Sequence, residues 1–115
     1  MPQVKMDFED YMEQIYNCAV EKGWWDKDRK FENEIALYHS EISEAFEEYR
    51  KGKGLSNIYF NEGSKKPEGV PIELADVIIR IMDFCKGNKI DLDFAIRLKI
   101  EYNKSRSYRH GGKLL

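Results

Sequence analysis

Apolar residues recur at every third or fourth position along most of this chain, and no segment alternates apolar and polar residues over the length of a strand. Recurrence at this spacing is typical of amphipathic helices. We therefore predict an all-α fold, in which four helices cover residues 7–22, 31–51, 71–86 and 91–105. Asp7 and Asp91 are suitable N-caps for the first and fourth helices. Residues 52–69 form a long loop, of the kind that often serves as a lid or a binding loop.

The second predicted helix carries an acidic face beside its apolar face. Its apolar positions, spaced by three and four residues, are Ile35, Tyr38, Ile42, Ala45 and Tyr49. Its acidic face, displaced from them by one residue, carries Glu34, Glu41, Glu44 and Glu48. We expect these carboxylates to lie at the border of the core. For Glu47 and Glu48, which belong to a charge run, we expect solvated salt bridges with neighbouring cations.

The third predicted helix is apolar almost all the way round. Its polar residues fall on one stripe and are Glu73, Asp76, Arg80 and Asp83. A helix that is apolar on most sides is normally buried on most sides. Because four helices of this length cannot enclose one of their own number, we expect a second copy of the chain to complete the core. The sequence thus predicts a four-helix bundle that assembles as a homodimer or a homotetramer.

Composition narrows the class of protein. The chain has 115 residues, which suits a single domain covering residues 1–115, and a formal net charge of -2, which gives no basic excess for nucleic-acid binding. The most apolar stretch, residues 72–85, is interrupted by charges, so no membrane span is expected. We expect Cys18 and Cys85, which both fall on apolar helical positions, to be buried reduced thiols of a cytoplasmic protein.

Two pairs of acidic residues point to a metal site. Glu41 and Glu44 lie three residues apart on the second helix, and Glu73 and Asp76 lie three apart on the third. Residues at this spacing share one face of a helix, so packing of the two helices would bring four carboxylates together. Such a cluster suits Mg²⁺, with Mn²⁺ as an alternative ion. The competing interpretation is that these carboxylates form salt bridges with Arg80, Arg50 or lysines.

Cations and an amide group lie on one face near the end of the fourth helix. Lys99, Asn103 and Arg106 follow one another at spacings of four and three, and Arg109, His110 and Lys113 come after them. These groups suit a polyanion such as a triphosphate. A solvated basic helix end, which favours the helix dipole, is the competing interpretation.

Aromatic and imidazole groups supply candidates for contact with a base. Trp24 and Trp25 follow the first helix, and we expect one of them to belong to the core and the other, or Phe31, to be free for stacking. Our candidates for substrate binding are Trp25 and His39. Ordinary packing is the alternative for each of them.

Three segments of the chain resemble the MazG-like, all-alpha nucleoside triphosphate pyrophosphatases. They are ALYHSEISEAFEEYRKG, PIELADVIIRIMDF and KIEYNKSRSYRHGGK, and the resemblance extends from about residue 20 to residue 113. It implies Mg²⁺-dependent hydrolysis of a nucleoside triphosphate to the monophosphate and pyrophosphate. It also implies roles for the residues on the matching positions. These roles are metal binding by Glu41, Glu44, Glu73 and Asp76, and phosphate contacts by Lys99, Asn103 and Arg106.

The chemistry of these residues agrees with that activity. One carboxylate, Glu44, would orient or deprotonate the attacking water, and the basic residues would offset charge on the leaving pyrophosphate. The alternative function is that of a non-enzymatic helical module that assembles into oligomers. Such a module would share the helices and the oligomer, but it would not need inward carboxylates or a basic C-terminal segment.

Overall fold

The computed structural model describes residues 5–108, and the regular structure in that range is helical. The helices are α1 (Phe8–Glu21), α2 (Phe31–Arg50), α3 (Val70–Gly87) and α4 (Leu92–Ser105). The prediction of an all-α fold with four helices is confirmed, and local capping explains why the boundaries could be predicted. The Asp7 side chain accepts a hydrogen bond from the backbone N–H of Asp10 at 2.9 Å, and Asp91 accepts one from Phe94 at 3.0 Å.

Helix α3 is the central element, since both α1 and α2 pack against it. The small apolar core lies between α1 and α3 and consists of Met12, Met82 and Cys85. Partly buried apolar side chains surround this core, namely Phe8, Ile15, Ile81 and Leu92. The α1 helix is therefore held mainly by apolar contacts.

The packing face of α2 is acidic. Its buried side chains are Glu34, Glu41, Ala45 and Glu48. Its large apolar side chains, displaced by one residue, are exposed; they are Ile35, Ile42, Phe46 and Tyr49. We predicted that the glutamates lie at the border of the core; Glu34, Glu41 and Glu48 are buried, each in an ion pair, whereas Glu44 is exposed. Arg29, Arg80 and Lys51 form these ion pairs, which offset the cost of burying the charges.

Helix α3 is only partly buried within the chain. Val77, Met82 and Cys85 are buried, whereas Leu74, Ile78 and Ile79 are exposed. The expectation that α3 is buried on most sides is therefore not met within one chain. The apolar surface that it leaves exposed is the surface that the predicted oligomer would cover, and that oligomer stays a prediction.

Helix α4 stands largely apart from the other three. Its first residue, Leu92, touches the apolar core, but none of its residues is buried. Among residues 5–108 it does not pack along another helix. Phe94, Leu98 and Tyr102 of α4 are exposed. A helix of 14 residues is marginal in water without packing.

Hydrogen bonds hold the segment between α2 and α3 near its middle, and a close backbone contact holds it at its end. Tyr59 and Glu68 pair through two backbone hydrogen bonds, and the Tyr59 hydroxyl donates a hydrogen bond to Glu48 on α2. Gly69, with φ of 125°, is the N-cap residue of α3, and a Cβ at this position would collide with the backbone oxygen of Asn57. The close approach requires glycine here.

The helices within residues 5–108 are all too short or too polar to cross a lipid bilayer.

Candidate active site

A groove of about 590 Å³ runs beside α1 and is lined by parts of α2 and α3. Its charged lining consists of Arg29, Glu41, Asp76, Arg80 and Asp83. The rings of Tyr11 and Trp24 also line it, together with aliphatic side chains from α1 and α3. The groove has the size and the mixed lining of a site for a small organic ligand.

Three of the four carboxylates that were predicted as metal ligands converge in the structure. Glu41, Glu73 and Asp76 each place an oxygen so that these oxygens lie within 4.8 Å of one another. Packing of α2 on α3 brings them together, and Glu73 and Asp76 share one face of α3. Glu44 is exposed one turn further along α2 and lies outside this group. An all-carboxylate donor set of this kind fits a hard divalent cation such as Mg²⁺.

The electrostatics of this cluster favour a cation. Burial raises the pKa of Glu73, and the negative charges of Asp76, Glu44 and Glu41 raise it further. Burial likewise raises the pKa of Asp76, and the charge of Glu41 adds to the effect. Among residues 5–108, Glu73 and Asp76 have no ion-pair partner within 4.0 Å. A divalent cation bound here would neutralise carboxylate charges that burial and mutual repulsion both disfavour.

Glu41 already has a cationic partner. The Nε of Arg80 donates a hydrogen bond to Oε1 of Glu41 at 2.8 Å, and this contact joins α3 to α2. The competing interpretation of the acidic pairs, that they form salt bridges, thus applies to Glu41. The positive charge of Arg80 also opposes the rise in the pKa of Asp76.

A second ionic network, formed by Arg29 with Glu34 and Asp83, also borders the groove. Arg29 contacts Glu34 through Nε and Nη2, and its Nη1 contacts Asp83 at 2.6 Å. The guanidinium also lies over the ring of Trp25, 4.2 Å from its centroid. Desolvation of Arg29 lowers its pKa, but hydrogen bonds and charges from the two carboxylates outweigh this and raise it. The buried pairs fix the segment between α1 and α2 against both α2 and α3.

Arg29 is not among the predicted site residues, although the sequence contains a signal for it. Asp83 lies on a helix that is otherwise apolar, and a carboxylate in such surroundings needs a cation or a hydrogen-bond donor. The partners come from a segment more than 50 residues earlier, since Arg29 and Trp25 both contact Asp83. No local spacing identifies which cation would be chosen.

The two tryptophans have different environments. Trp25 is half-buried, donates a hydrogen bond from Nε1 to Asp83 at 2.9 Å and packs against Tyr16. Its ring lies so close to Gly87 that a Cβ there would overlap it. Trp24 is 59% exposed and lines the groove. The expected division into one packed and one accessible tryptophan is therefore seen, with Trp24 as the accessible one, whereas our substrate-binding candidate was Trp25.

The predicted phosphate-binding residues do not line the groove of this chain. Lys99 and Asn103 are exposed on α4, and Arg106, whose backbone is extended, is the residue that caps its C-terminus. Lys99 and Arg106 lie near the ring of Tyr102, at 4.9 and 5.6 Å from its centroid. His39 is exposed on α2, also away from the groove. Arg109, His110 and Lys113 lie outside the described residues.

Two further expectations were only partly correct. Glu47 and Glu48 form the expected salt bridges, with Arg50 and Lys51, but Glu48 is buried because the Tyr59 hydroxyl covers it. Cys85 is a buried thiol as expected.

Cys18, by contrast, is exposed, because its side of α1 borders the open groove.

Comparison with protein-family models, with curated proteins and with solved structures gives no match to this chain.

Proposed function

We propose that the protein is a Mg²⁺-dependent nucleoside triphosphate pyrophosphohydrolase, which converts a nucleoside triphosphate to the monophosphate and pyrophosphate. The observation that carries this proposal is the convergence of Glu41, Glu73 and Asp76, two of which, Glu41 and Asp76, line a groove of about 590 Å³. An acidic cluster that holds a metal beside a groove with an exposed tryptophan suits a ligand with phosphates at one end and a flat base at the other. The resemblance to the MazG-like pyrophosphatases supports the same reaction.

The residues divide the work as follows. The carboxylates of Glu41, Glu73 and Asp76 would hold Mg²⁺, which would neutralise phosphate charge and polarise a phosphoryl oxygen. Glu44 lies one turn from Glu41, has no ion pair within residues 5–108 and is close enough for its charge to raise the pKa of Glu73, and we assign it the role of orienting a water and accepting its proton. The oxygen of that water bonds to phosphorus while the anhydride bond between the α- and β-phosphates breaks, and pyrophosphate leaves. The proton then passes from Glu44 to solvent.

The test is a panel of ribo- and deoxyribonucleoside triphosphates assayed for the monophosphate and pyrophosphate, with Mg²⁺ or Mn²⁺ and with a chelator. We expect activity that the chelator removes. Glu44→Gln and Asp76→Asn should abolish turnover with little loss of fold, and a lost general base alone lowers kcat by roughly 100-fold or more. The matched control is Glu47→Gln, an exposed glutamate on the same helix that is paired with Arg50. Inactivity towards the whole panel, or wild-type activity in Glu44→Gln, would contradict the proposal.

The second candidate function is that of a non-catalytic helical module that self-associates, and the exposed apolar faces favour it. Ile42, Ile78 and Leu98 all present large apolar side chains to solvent. A thermal melt with and without Mg²⁺ separates the two functions, because only a protein that binds the ion is stabilised by it. An unchanged melting temperature at millimolar Mg²⁺, together with oligomer formation, would favour the module.

A further inference from the structure

Arg80 occupies an unusual position for a cation in a proposed metal site. It lies one turn after Asp76 on the same stripe of α3, and its side chain is 30% exposed where it lines the groove. Its Nε donates a hydrogen bond to Oε1 of Glu41. The other guanidinium N–H groups form no hydrogen bond with the part of the chain that the structure describes. Arg80 therefore uses one of its five donors and keeps the rest available.

The present contact of Arg80 conflicts with a metal ion held by Glu41. Glu41 is one of the three carboxylates that converge on the acidic cluster, and Arg80 binds one of its two oxygens. A divalent cation at the cluster would lie close to the guanidinium, and like charges at such distances repel strongly in a half-buried site. Arg80 and a metal ion therefore compete for Glu41.

The groove offers Arg80 a second type of partner. A phosphorylated ligand that reaches a metal held at Glu73 and Asp76 would bring anionic oxygens near Arg80, since Arg80 lies one turn from Asp76 and both line the groove. The planar guanidinium fork matches the geometry of phosphate oxygens. It also lies in the groove itself, whereas the basic residues of α4 do not line it.

We propose that Arg80 exchanges partners: it neutralises Glu41 in the metal-free protein and binds a phosphoryl oxygen of the nucleotide once a metal occupies the acidic cluster. This inference rests on the proposed function and adds to it a phosphate-binding residue in the groove. It also assigns the Arg80–Glu41 ion pair to one state of the site rather than to the fold alone.

The test uses Arg80→Gln and two titrations by calorimetry, one with Mg²⁺ alone and one with a non-hydrolysable nucleoside triphosphate in excess Mg²⁺. Removing the competing cation should tighten the binding of Mg²⁺ alone by several-fold. Removing the phosphate contact should weaken the binding of the nucleotide by roughly tenfold or more. The two effects have opposite signs, which a purely structural role for Arg80 does not produce.

Two further variants keep the test decisive. Arg97→Gln removes an exposed arginine of α4 that pairs with Asp93, and it should change neither titration. Arg80→Lys keeps the charge without the planar fork, so it should bind Mg²⁺ as the wild type does and bind the nucleotide more weakly. Circular dichroism melts check each fold, and if Arg80→Gln does not fold, the lysine variant decides. Wild-type nucleotide affinity in that variant would then overturn the inference.

The outcomes separate this inference from the function on which it rests. Opposite shifts in Arg80→Gln support the exchange. If the wild type binds Mg²⁺ and hydrolyses triphosphates but Arg80→Gln binds Mg²⁺ no more tightly, or binds the nucleotide as well as before, Arg80 is a structural residue and only the exchange is wrong. If the wild type binds no Mg²⁺, both proposals are wrong.

Discussion

Trp24 and Trp25 are neighbours in sequence, but their environments suit them to different tasks. Nε1 of Trp25 is bound to Asp83, and one ring face lies against Arg29. Trp24 has no such partners within residues 5–108 and borders the groove that contains Asp76. A side chain already engaged by the protein contributes to the fold, whereas an exposed ring in a groove is available to stack on a base.

We expect Trp24→Ala to weaken nucleotide binding and Trp25→Phe to weaken the fold. Loss of a stacking ring costs about 1–3 kcal/mol, so nucleotide affinity should fall by about tenfold, with little change in melting temperature. Trp25→Phe removes the hydrogen bond to the buried Asp83 and should lower the free energy of unfolding by about 1–2 kcal/mol. Calorimetry with a non-hydrolysable triphosphate and thermal melts measure both. The assignment is wrong if Trp24→Ala binds the nucleotide normally.

Because of Glu48, the stability of the folded protein is expected to fall in acid. Hydrogen bonds from Tyr59 and Lys51 lower its pKa below the ordinary 4.5. A carboxyl group whose pKa is lowered by folding contributes stability that is complete above its unfolded pKa and disappears as the pH falls through its folded pKa. The hydrogen bond between Tyr59 and Glu48 also raises the pKa of Tyr59 to about 12.

Glu48→Gln should therefore lower the melting temperature at pH 7, and the difference from the wild type should shrink below about pH 4.5. Thermal melts at several pH values measure this difference. Glu47→Gln is the matched control, since Glu47 forms an exposed pair with Arg50 and should show a small difference at every pH. A gap between Glu48→Gln and wild type that widens on acidification would contradict the interpretation.

At the scale of elements, the sequence was sufficient for the helices but not for the orientation of α2. Helix boundaries follow from local signals such as the Asp7 cap, which a single sequence contains. The burial of Glu41 depends on Arg80, 39 residues away, and apolar periodicity cannot reveal such a contact. The pairing of Glu73 with Asp76 on one face followed from spacing alone, and their convergence with Glu41 required the packing of α2 on α3.

Substitutions in and next to helix α4 test the hypothesis that its basic residues bind phosphate. Lys99→Ala or Arg106→Ala should weaken binding of a triphosphate by roughly tenfold and affect the monophosphate much less, because the proposed contacts are to the outer phosphates. Since α4 does not line the groove of its own chain, these residues would have to act from another chain or after α4 moves. Calorimetry with both nucleotides distinguishes this role from that of a solvated basic helix end, for which small and equal losses are expected.

At the scale of the molecule, exposed apolar surface is the dominant feature. Apolar side chains of α2, α3 and α4 remain open to solvent, among them Ile42, Ile78 and Leu98. A monomer rarely keeps this much apolar surface exposed, and such surface normally marks an interface.

We therefore expect the protein to sediment as a dimer or a tetramer at micromolar concentration. Ile78, which is 57% exposed on α3, is the position at which to disrupt the assembly. Ile78→Glu should shift the protein towards monomer, because a desolvated charge opposes apolar contact. Lys65→Glu, a charge change in the exposed segment between α2 and α3, should leave the assembly intact. A stable wild-type monomer would contradict the prediction.

The two sides of α3 are held by forces that respond differently to heat. On one side, Met12 meets Met82 in an apolar core, whereas on the other Arg80 meets Glu41 through charges. The cost of withdrawing charged groups from water falls as temperature rises, while apolar stabilisation reaches a plateau. Warming therefore favours the ionic contact of α2 relative to the apolar contact of α1. As a consequence, α1 is the helix that should separate from α3 first as the protein approaches its unfolding temperature.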